Sequence, residues 1–356
     1  MDTGQKKVIL VAPLDWGIGH ASRCIPLIRY FCGQGHKVIL ASNGRSAAML
    51  REEFPELEIL TDIPDYTITY PENDNFSLHF AKHALRLLRV LRNEQSWINL
   101  MVDQHKIDLV VSDNRYGLYC NKITTYFITH QIFIPAPGVI RWLINAINHY
   151  YIRKFNHCFV PDFSGKKKLS GALSHGKGLP SNVRYIGPLS RFAGFNRIPD
   201  TNVEHIDLPN LAKGDHSFEF DICVIISGPE PARTLFSKTI KSLFADSNKK
   251  IIIIEGRTES PEKYTISNIQ IASHLKESEF RSVVAKSKSI ICRPGYSTLM
   301  DLFYLQREAL LVPTPGQKEQ EYLAQLCTSQ NIHRTVEQKK LDRNFIDSWL
   351  NSSAQE

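Results

Sequence analysis

At 356 residues and 40.6 kDa the chain is too long for one ordinary core and points to two domains with connections. Its 42% hydrophobic, 10% aromatic and 22% charged residues exclude a disordered or fibrous chain. The net charge of +7 is uneven: residues 1–75 carry 7 basic and 10 acidic side chains, 76–192 carry 16 and 5, and 193–356 carry 20 and 21. A middle stretch holding +11 suggests an anionic partner that contacts one part of the molecule.

The opening MDTGQKKVILVAP has an apolar run that suits a first strand better than a signal peptide. Strands are predicted at 6–12, 37–41, 57–60, 107–112, 123–128, 157–160 and 184–186, then at 221–227, 250–254, 268–272, 289–292 and 308–312. Helical-length segments separate them, and this alternation predicts an α/β chain with parallel sheets. Residues 193–216 have no sustained period and carry two prolines, the mark of a linker. The expected organisation is a Rossmann-like domain at 1–192, a linker at 193–218 and a second Rossmann-like domain at 219–338. A final helix over about 339–353 can pack on either half, and the 339–356 segment is placed back on the first domain. Seven cysteines form no CxxC pair and several sit in apolar runs, as Cys223 and Cys292 do, so a reduced cytosolic protein is expected. No stretch approaches the roughly 18 apolar residues of a spanning helix, so the expectation is a soluble cytoplasmic protein able to lie on a membrane.

The first strand runs into a turn holding Gly17 and Gly19, followed by a helical IPLIRYF. Glycines here let a ligand approach backbone, and the helix N-terminus beyond them favours negative charge. A dinucleotide site is disfavoured, because Ser22 replaces the third glycine and the second strand ends in Ala41-Ser42-Asn43 with no acid for a ribose. The plain alternative is a tight turn that caps the helix. His20 opens this helix, Asp113 closes the strand IDLVVSD and His130 closes ITTYFITH, three titratable groups expected at one sheet edge. An imidazole with a carboxylate to orient it is what general base chemistry needs, so His20 and Asp113 are the catalytic candidates. Each alone would more often be a cap or a satisfied core residue.

The second half offers two similar turns. One carries Gly228 and Arg233; the other, Arg293-Pro294-Gly295-Tyr296-Ser297-Thr298, opens the helix LMDLFYL. Gly295 permits close approach, while Ser297 and Thr298 can add hydroxyls to helix N–H groups facing a diphosphate. Asp301, one turn further in, can reach a ribose diol, and Gln320 and Glu321 can bond sugar hydroxyls. Read plainly, Ser297 and Thr298 are caps and Asp301 offsets the helix dipole.

The constellation resembles a nucleotide-sugar glycosyltransferase of the GT-B fold, most similar to the family 28 group that holds the lipid II N-acetylglucosaminyltransferase and the diacylglycerol glycosyltransferases. The resemblance spans most of the chain through W-G-I-G-H-A-S-R at Trp16 to Arg23, S-G-P-E-P-A-R-T-L at Ser227 to Leu235, and C-R-P-G-Y-S-T-L-M-D at Cys292 to Asp301 followed by Q-E-Y-L-A. S-D-N-R-Y-G at Ser112 to Gly117 is similar to relatives with an acid after that strand. The resemblance implies two Rossmann-like domains with parallel sheets facing across a cleft. It implies a UDP-sugar in the second half, its ribose on the residue at the place of Asp301 and its sugar on those at Gln320 and Glu321. It also implies inversion at the anomeric carbon. Asp301 replaces a usual Glu and Glu321 a second glutamine, which leaves the identity of the sugar open, and a second N-terminal glycine loop gives way to His130-Gln131-Ile132, so a different acceptor is expected.

The expected reaction moves a hexose or N-acetylhexosamine from the nucleotide-sugar, a substrate rather than a cofactor, to an acceptor hydroxyl of a lipid or cell-envelope glycan precursor. His20 or Asp113 takes the proton, the helix at Gly295 to Thr298 receives the diphosphate, and no DxD-like metal cluster accompanies the donor motif. In residues 76–155 arginines interleave with leucines, and Arg141, Arg153 and Lys154 flank Trp142 and Leu143, a pattern suited to the anionic inner face of a membrane. Ordinary amphipathic packing gives the same pattern. A UDP-sugar 2-epimerase and a non-catalytic basic binding protein are the alternative classes; no RNA-recognition signature favours nucleic acid.

Overall fold

A computed structural model of the chain describes residues 5–65, 76–194, 202–204, 206, 218–258 and 262–353. Two compact units emerge, Met1–Leu189 with Gly194–Ile206, and Ser190–Ala193 with Asp207–Glu356.

The first unit alternates β1 (Val8–Pro13), α1 (Ile18–Gly33), β2 (Lys37–Ala41), α2 (Gly44–Glu53), β3 (Glu58–Leu60), α3 (Phe76–His105), β4 (Leu109–Asp113), β5 (Thr124–Ile128), α4 (Gly138–Ile152), β6 (His157–Val160) and β7 (Val183–Tyr185). Its strands pair in parallel in the order β3-β2-β1-β4-β5-β6-β7. The order reverses between β1 and β4, where an open α/β sheet leaves a crevice at its carboxyl edge. Register brings the two strand ends level there: Pro13 pairs with Asp113, and Leu14 N–H donates to the Asp113 carbonyl at 3.0 Å.

The second unit repeats the plan with β8 (Phe220–Ile225), α5 (Ala232–Phe244), β9 (Ile251–Ile254), β10 (Lys263–Ile266), β11 (Ile269–Ala272), α6 (Glu277–Ala285), β12 (Ser287–Cys292), α7 (Tyr296–Tyr304), β13 (Leu310–Leu311), α8 (Lys318–Ser329), β14 (Arg334–Thr335) and α9 (Arg343–Ser353). The sheet order is β10-β11-β9-β8-β12-β13-β14, with β10 alone antiparallel, and the switch falls between β8 and β12.

Periodicity explains which strands are visible in the sequence. All four isoleucines of β9 are buried, the unbroken apolar run of a strand covered on both faces. In β10 all four residues are exposed, so no alternation announces it. Leu10, Ile39 and Val110 of the first sheet pack against Trp97, Ile98 and Met101 of α3. Phe236, Ile253 and Ile291 anchor the second core, and each fully buried side chain of this size contributes about 1.5–3 kcal/mol.

Two expectations about boundaries change. The closing helix α9 inserts Ile346 and Trp349 into the second unit's core instead of returning to the first. Within the expected 193–218 linker, Val203 exchanges backbone bonds with Tyr185 and Ser164 at 2.8 and 2.7 Å, so it closes the first unit. Ser190–Ala193 already belongs to the second, while 195–201, 205 and 207–217 lie outside the described residues.

Candidate active site

Beyond β1 the chain turns into α1 through Gly17, whose φ of 124° is a conformation that side chains rarely adopt. Gly19 sits inside the first helical turn rather than in the loop. The N-cap of α1 is Gly17, which offers no capping side chain, and no acid occupies the first turn, so the helix dipole favours negative charge at the sheet edge. Asp15 accepts from Ser46 N–H at 3.2 Å and ties this loop to α2; a Cβ on Gly44, at φ 52°, would collide with its carboxylate.

His20 Nδ1 lies 2.6 Å from Asp113 Oδ1. An ionised carboxylate can only accept, so the tautomer that carries its proton on Nδ1 satisfies this short contact and leaves Nε2 as the basic nitrogen. Arg23, one helical turn on, donates through Nε to Asp113 Oδ2 and through Nη2 to Oδ1 at 2.5 Å. Its Nη2 is also 2.8 Å from His20 Nδ1, and its Nη1 is 3.1 Å from His130 Nδ1. The carboxylate is wholly buried, whereas the His20 side chain keeps 16% exposure.

Burial lowers the pKa of His20, and Arg23 lowers it further against the opposing pull of Asp113. The ring is therefore neutral at neutral pH. Burial acts to raise Asp113, but Arg23, His20 and their hydrogen bonds outweigh it and bring the carboxyl down to about 2. Of the two base candidates, Asp113 is thus an enclosed anion that orients, and His20 is the one able to take a proton. His130 is brought to the cluster but is buried, touching Arg23. Sequence alone gives Arg23 no role; its one signal is a cation inside the apolar helix run IGHASRCIPLI.

In the second unit, α7 starts at Gly295 with no side-chain cap and no acid in its first turn. Gly295 has an ordinary φ of −73°, and a Cβ there would meet Thr298 Oγ1 at a normal 3.7 Å. Gly228 is different: its φ is 109° and a Cβ would find open space. Thr298 and Asp301 line a small cavity with Arg191 and Phe280, and Ser297 is not among the residues that line it.

Several expected donor ligands are already engaged. Asp301 accepts from Ser190 Oγ at 2.7 Å and Arg191 Nε at 3.0 Å, and Arg191 lies over the Phe280 ring at 4.3 Å. Burial raises the Asp301 carboxyl despite Arg191. Arg293 turns away from the helix it precedes: it is 1% exposed, stacks on Phe236 at 3.8 Å and donates to Val312 O and Gln338 Oε1 at 2.8 and 2.7 Å. Arg233 pairs with Glu230 and donates to the Glu255 carbonyl at 3.0 Å. Gln320 and Glu321 hold the loop before α8, accepting from Thr314 and Gly316 N–H at 2.8 and 2.9 Å. The carboxyl of Glu321 is lowered by its bond from Lys318 and that from Gly316.

Comparison with known proteins extends this geometry. Residues 222–355 match the glycosyltransferase family 28 C-terminal domain. An uncharacterized glycosyltransferase of Methanosarcina mazei is 24% identical over 338 residues, covering 90% of this chain and 83% of the relative. Among solved structures, the calicheamicin glycosyltransferase CalG4 superposes with a TM-score of 0.62 at 13% identity over 99% of this chain and 91% of its own. Arabidopsis thaliana UGT89C1, solved with UDP-L-rhamnose, gives 0.59 at 11% identity over 98% and 90%. These likenesses establish the architecture.

Proposed function

We propose that this chain, a GT-B-fold glycosyltransferase related to family 28, moves a hexose or N-acetylhexosamine from a UDP-linked donor to an acceptor hydroxyl, with inversion. The observation that carries the reading is the buried Asp113 holding a neutral His20 at the switch point of the first sheet. His20 Nε2 takes the proton of the acceptor hydroxyl as that oxygen bonds to the anomeric carbon. The bond from the anomeric carbon to the diphosphate breaks, and the nucleoside diphosphate leaves with the electron pair. The N-terminus of α7, with glycine at its N-cap and no acid in its first turn, supports a donor site in the second unit, because its dipole meets the charge that grows on the diphosphate without a bound metal. The UDP-L-rhamnose in the Arabidopsis neighbour supports the choice of nucleotide. The acceptor is the hydroxyl of a lipid or cell-envelope glycan precursor, met on the cytoplasmic side.

A thermal-shift screen of nucleotides tests the donor half of this reading, since a ligand of the native state raises its melting temperature by mass action. UDP and UDP-sugars raise it and other nucleotides do so less. An equal response to every nucleotide, or none, removes the UDP assignment.

A further inference from the structure

Helix α4 is packed inside out. Its stripe Asn145, Asn148, His149 and Ile152 faces the protein at helical spacing. Asn145 Oδ1 accepts from Ile134 N–H at 2.7 Å, Asn148 Nδ2 donates to the Gln131 and Ile132 carbonyls at 3.0 Å, and His149 Nε2 meets the Ile132 carbonyl at 3.0 Å. Only Asn148 and Ile152 of the helix are buried. The outward face is apolar: Val139 is 84% and Trp142 73% exposed, and Leu143, Ile147 and Tyr150 are each about half exposed. Leu87 and Leu88 of α3 in the same unit are exposed as well, and Val90 of α3 and Tyr151 of α4 pack against one small cluster of Leu14 and Leu91.

The surroundings are cationic. Arg86, Arg89 and Arg92 of α3 and Arg141, Arg153 and Lys154 are all exposed, and no Asp or Glu occurs between Asp113 and Asp162. Among the described residues no helix is long and apolar enough to cross a membrane. We propose that α4 lies in the surface of an anionic bilayer, with Val139, Trp142, Leu143 and Ile147 among the acyl chains and the basic margin on the headgroups. A second copy fits the same face poorly, because pairing it with itself would oppose two margins of like charge. The loop that α4 grips begins next to His130, which contacts Arg23 of the catalytic cluster, so the bilayer meets the protein beside the candidate active site. The inference deepens the function proposed above by naming where its acceptor is found, and it is measured without turnover, so either can fail alone.

The test uses the whole protein with phosphatidylcholine vesicles and with vesicles of phosphatidylcholine and phosphatidylglycerol. The reading is taken in a Trp16→Phe background, where Trp142 reports directly: Trp16 is itself 45% exposed, whereas Trp97 and Trp349 are buried. Anionic vesicles bind the protein and shift its tryptophan emission to the blue, and Trp142→Phe removes most of that shift. Val139→Ser with Trp142→Ser, both solvent-facing and so tolerated by the fold, weakens binding tenfold or more. Arg141→Gln with Arg153→Gln weakens binding to anionic vesicles about fivefold per basic side chain and leaves neutral vesicles unaffected. Unaltered binding by the Val139→Ser/Trp142→Ser protein overturns the proposal. So does absence of vesicle binding, or a wild-type dimer in light scattering that these two serines dissociate.

Discussion

Replacing Arg23 by Gln removes the cation that grips Asp113 and lies 2.8 Å from His20 Nδ1. Two full charges at that separation repel by about 6 kcal/mol at an effective dielectric of about 20, an upper figure. Charges this close move a pKa by about one to three units, each unit being about 1.4 kcal/mol. The His20 ring is held below its ordinary 6.5 by burial and then by Arg23, while Asp113 pulls it up and His130 adds a smaller lowering effect. Without Arg23 only burial and His130 still oppose the pull of the carboxylate on His20, so the imidazolium is favoured and the midpoint rises. The assay is NMR titration of histidine rings in the free protein, with His20→Gln assigning the signal. Arg23→Lys keeps the charge and leaves the midpoint near that of the wild type. A Gln variant that titrates as the wild type does, or a Lys variant that shifts as far as Gln, refutes the reasoning.

Asp301→Asn leaves the Arg191 guanidinium in a largely buried site without its carboxylate and destabilises the second unit by about 3 kcal/mol, read in urea unfolding. An unchanged unfolding midpoint with a collapse of UDP affinity would instead make Asp301 a ligand that the fold does not need. Burial lowers His274 and His333 to about 4, with Arg191 adding to the effect on His274, while the unfolded chain takes up these protons below about pH 6.5. Stability of the second unit therefore falls as pH drops from about 6.5 to 4, by at most about 3 kcal/mol for each ring, and His333→Gln flattens the loss. An equally steep acid dependence in that variant would exclude His333 as a source.

The repeated αβ plan is legible because interior parallel strands are uninterrupted apolar runs, as in the four isoleucines of β9. The antiparallel β10 carries no such signal, since each of its residues faces solvent. The approach of His20 to Asp113 is legible for a related reason: Asp113 ends β4, His20 opens the helix that follows β1, and Pro13 and Asp113 pair in register. The second unit shows the limit of motif reasoning. Spacing places Asp301 one turn into α7, but its partners Ser190 and Arg191 lie 111 and 110 residues away in sequence. Arg293 adjoins the motif glycine, yet its side chain takes the opposite direction, onto Phe236 and Gln338. Gln320 and Glu321 match sugar ligands by position while their oxygens accept from the backbone of their own loop. The inverted packing of α4 was equally hidden, because an apolar stripe with basic margins reads the same whichever side faces the core.

The most direct measurement is a mass balance by mass spectrometry on the protein incubated with a UDP-sugar and a lipid extract, alongside His20→Ala. The account predicts UDP and an acceptor heavier by one sugar residue in equal amounts, with His20→Ala losing this product by about a hundredfold or more while binding UDP as before. A donor that is isomerised or hydrolysed with no glycosylated acceptor, or a His20→Ala protein as active as the wild type, would contradict it.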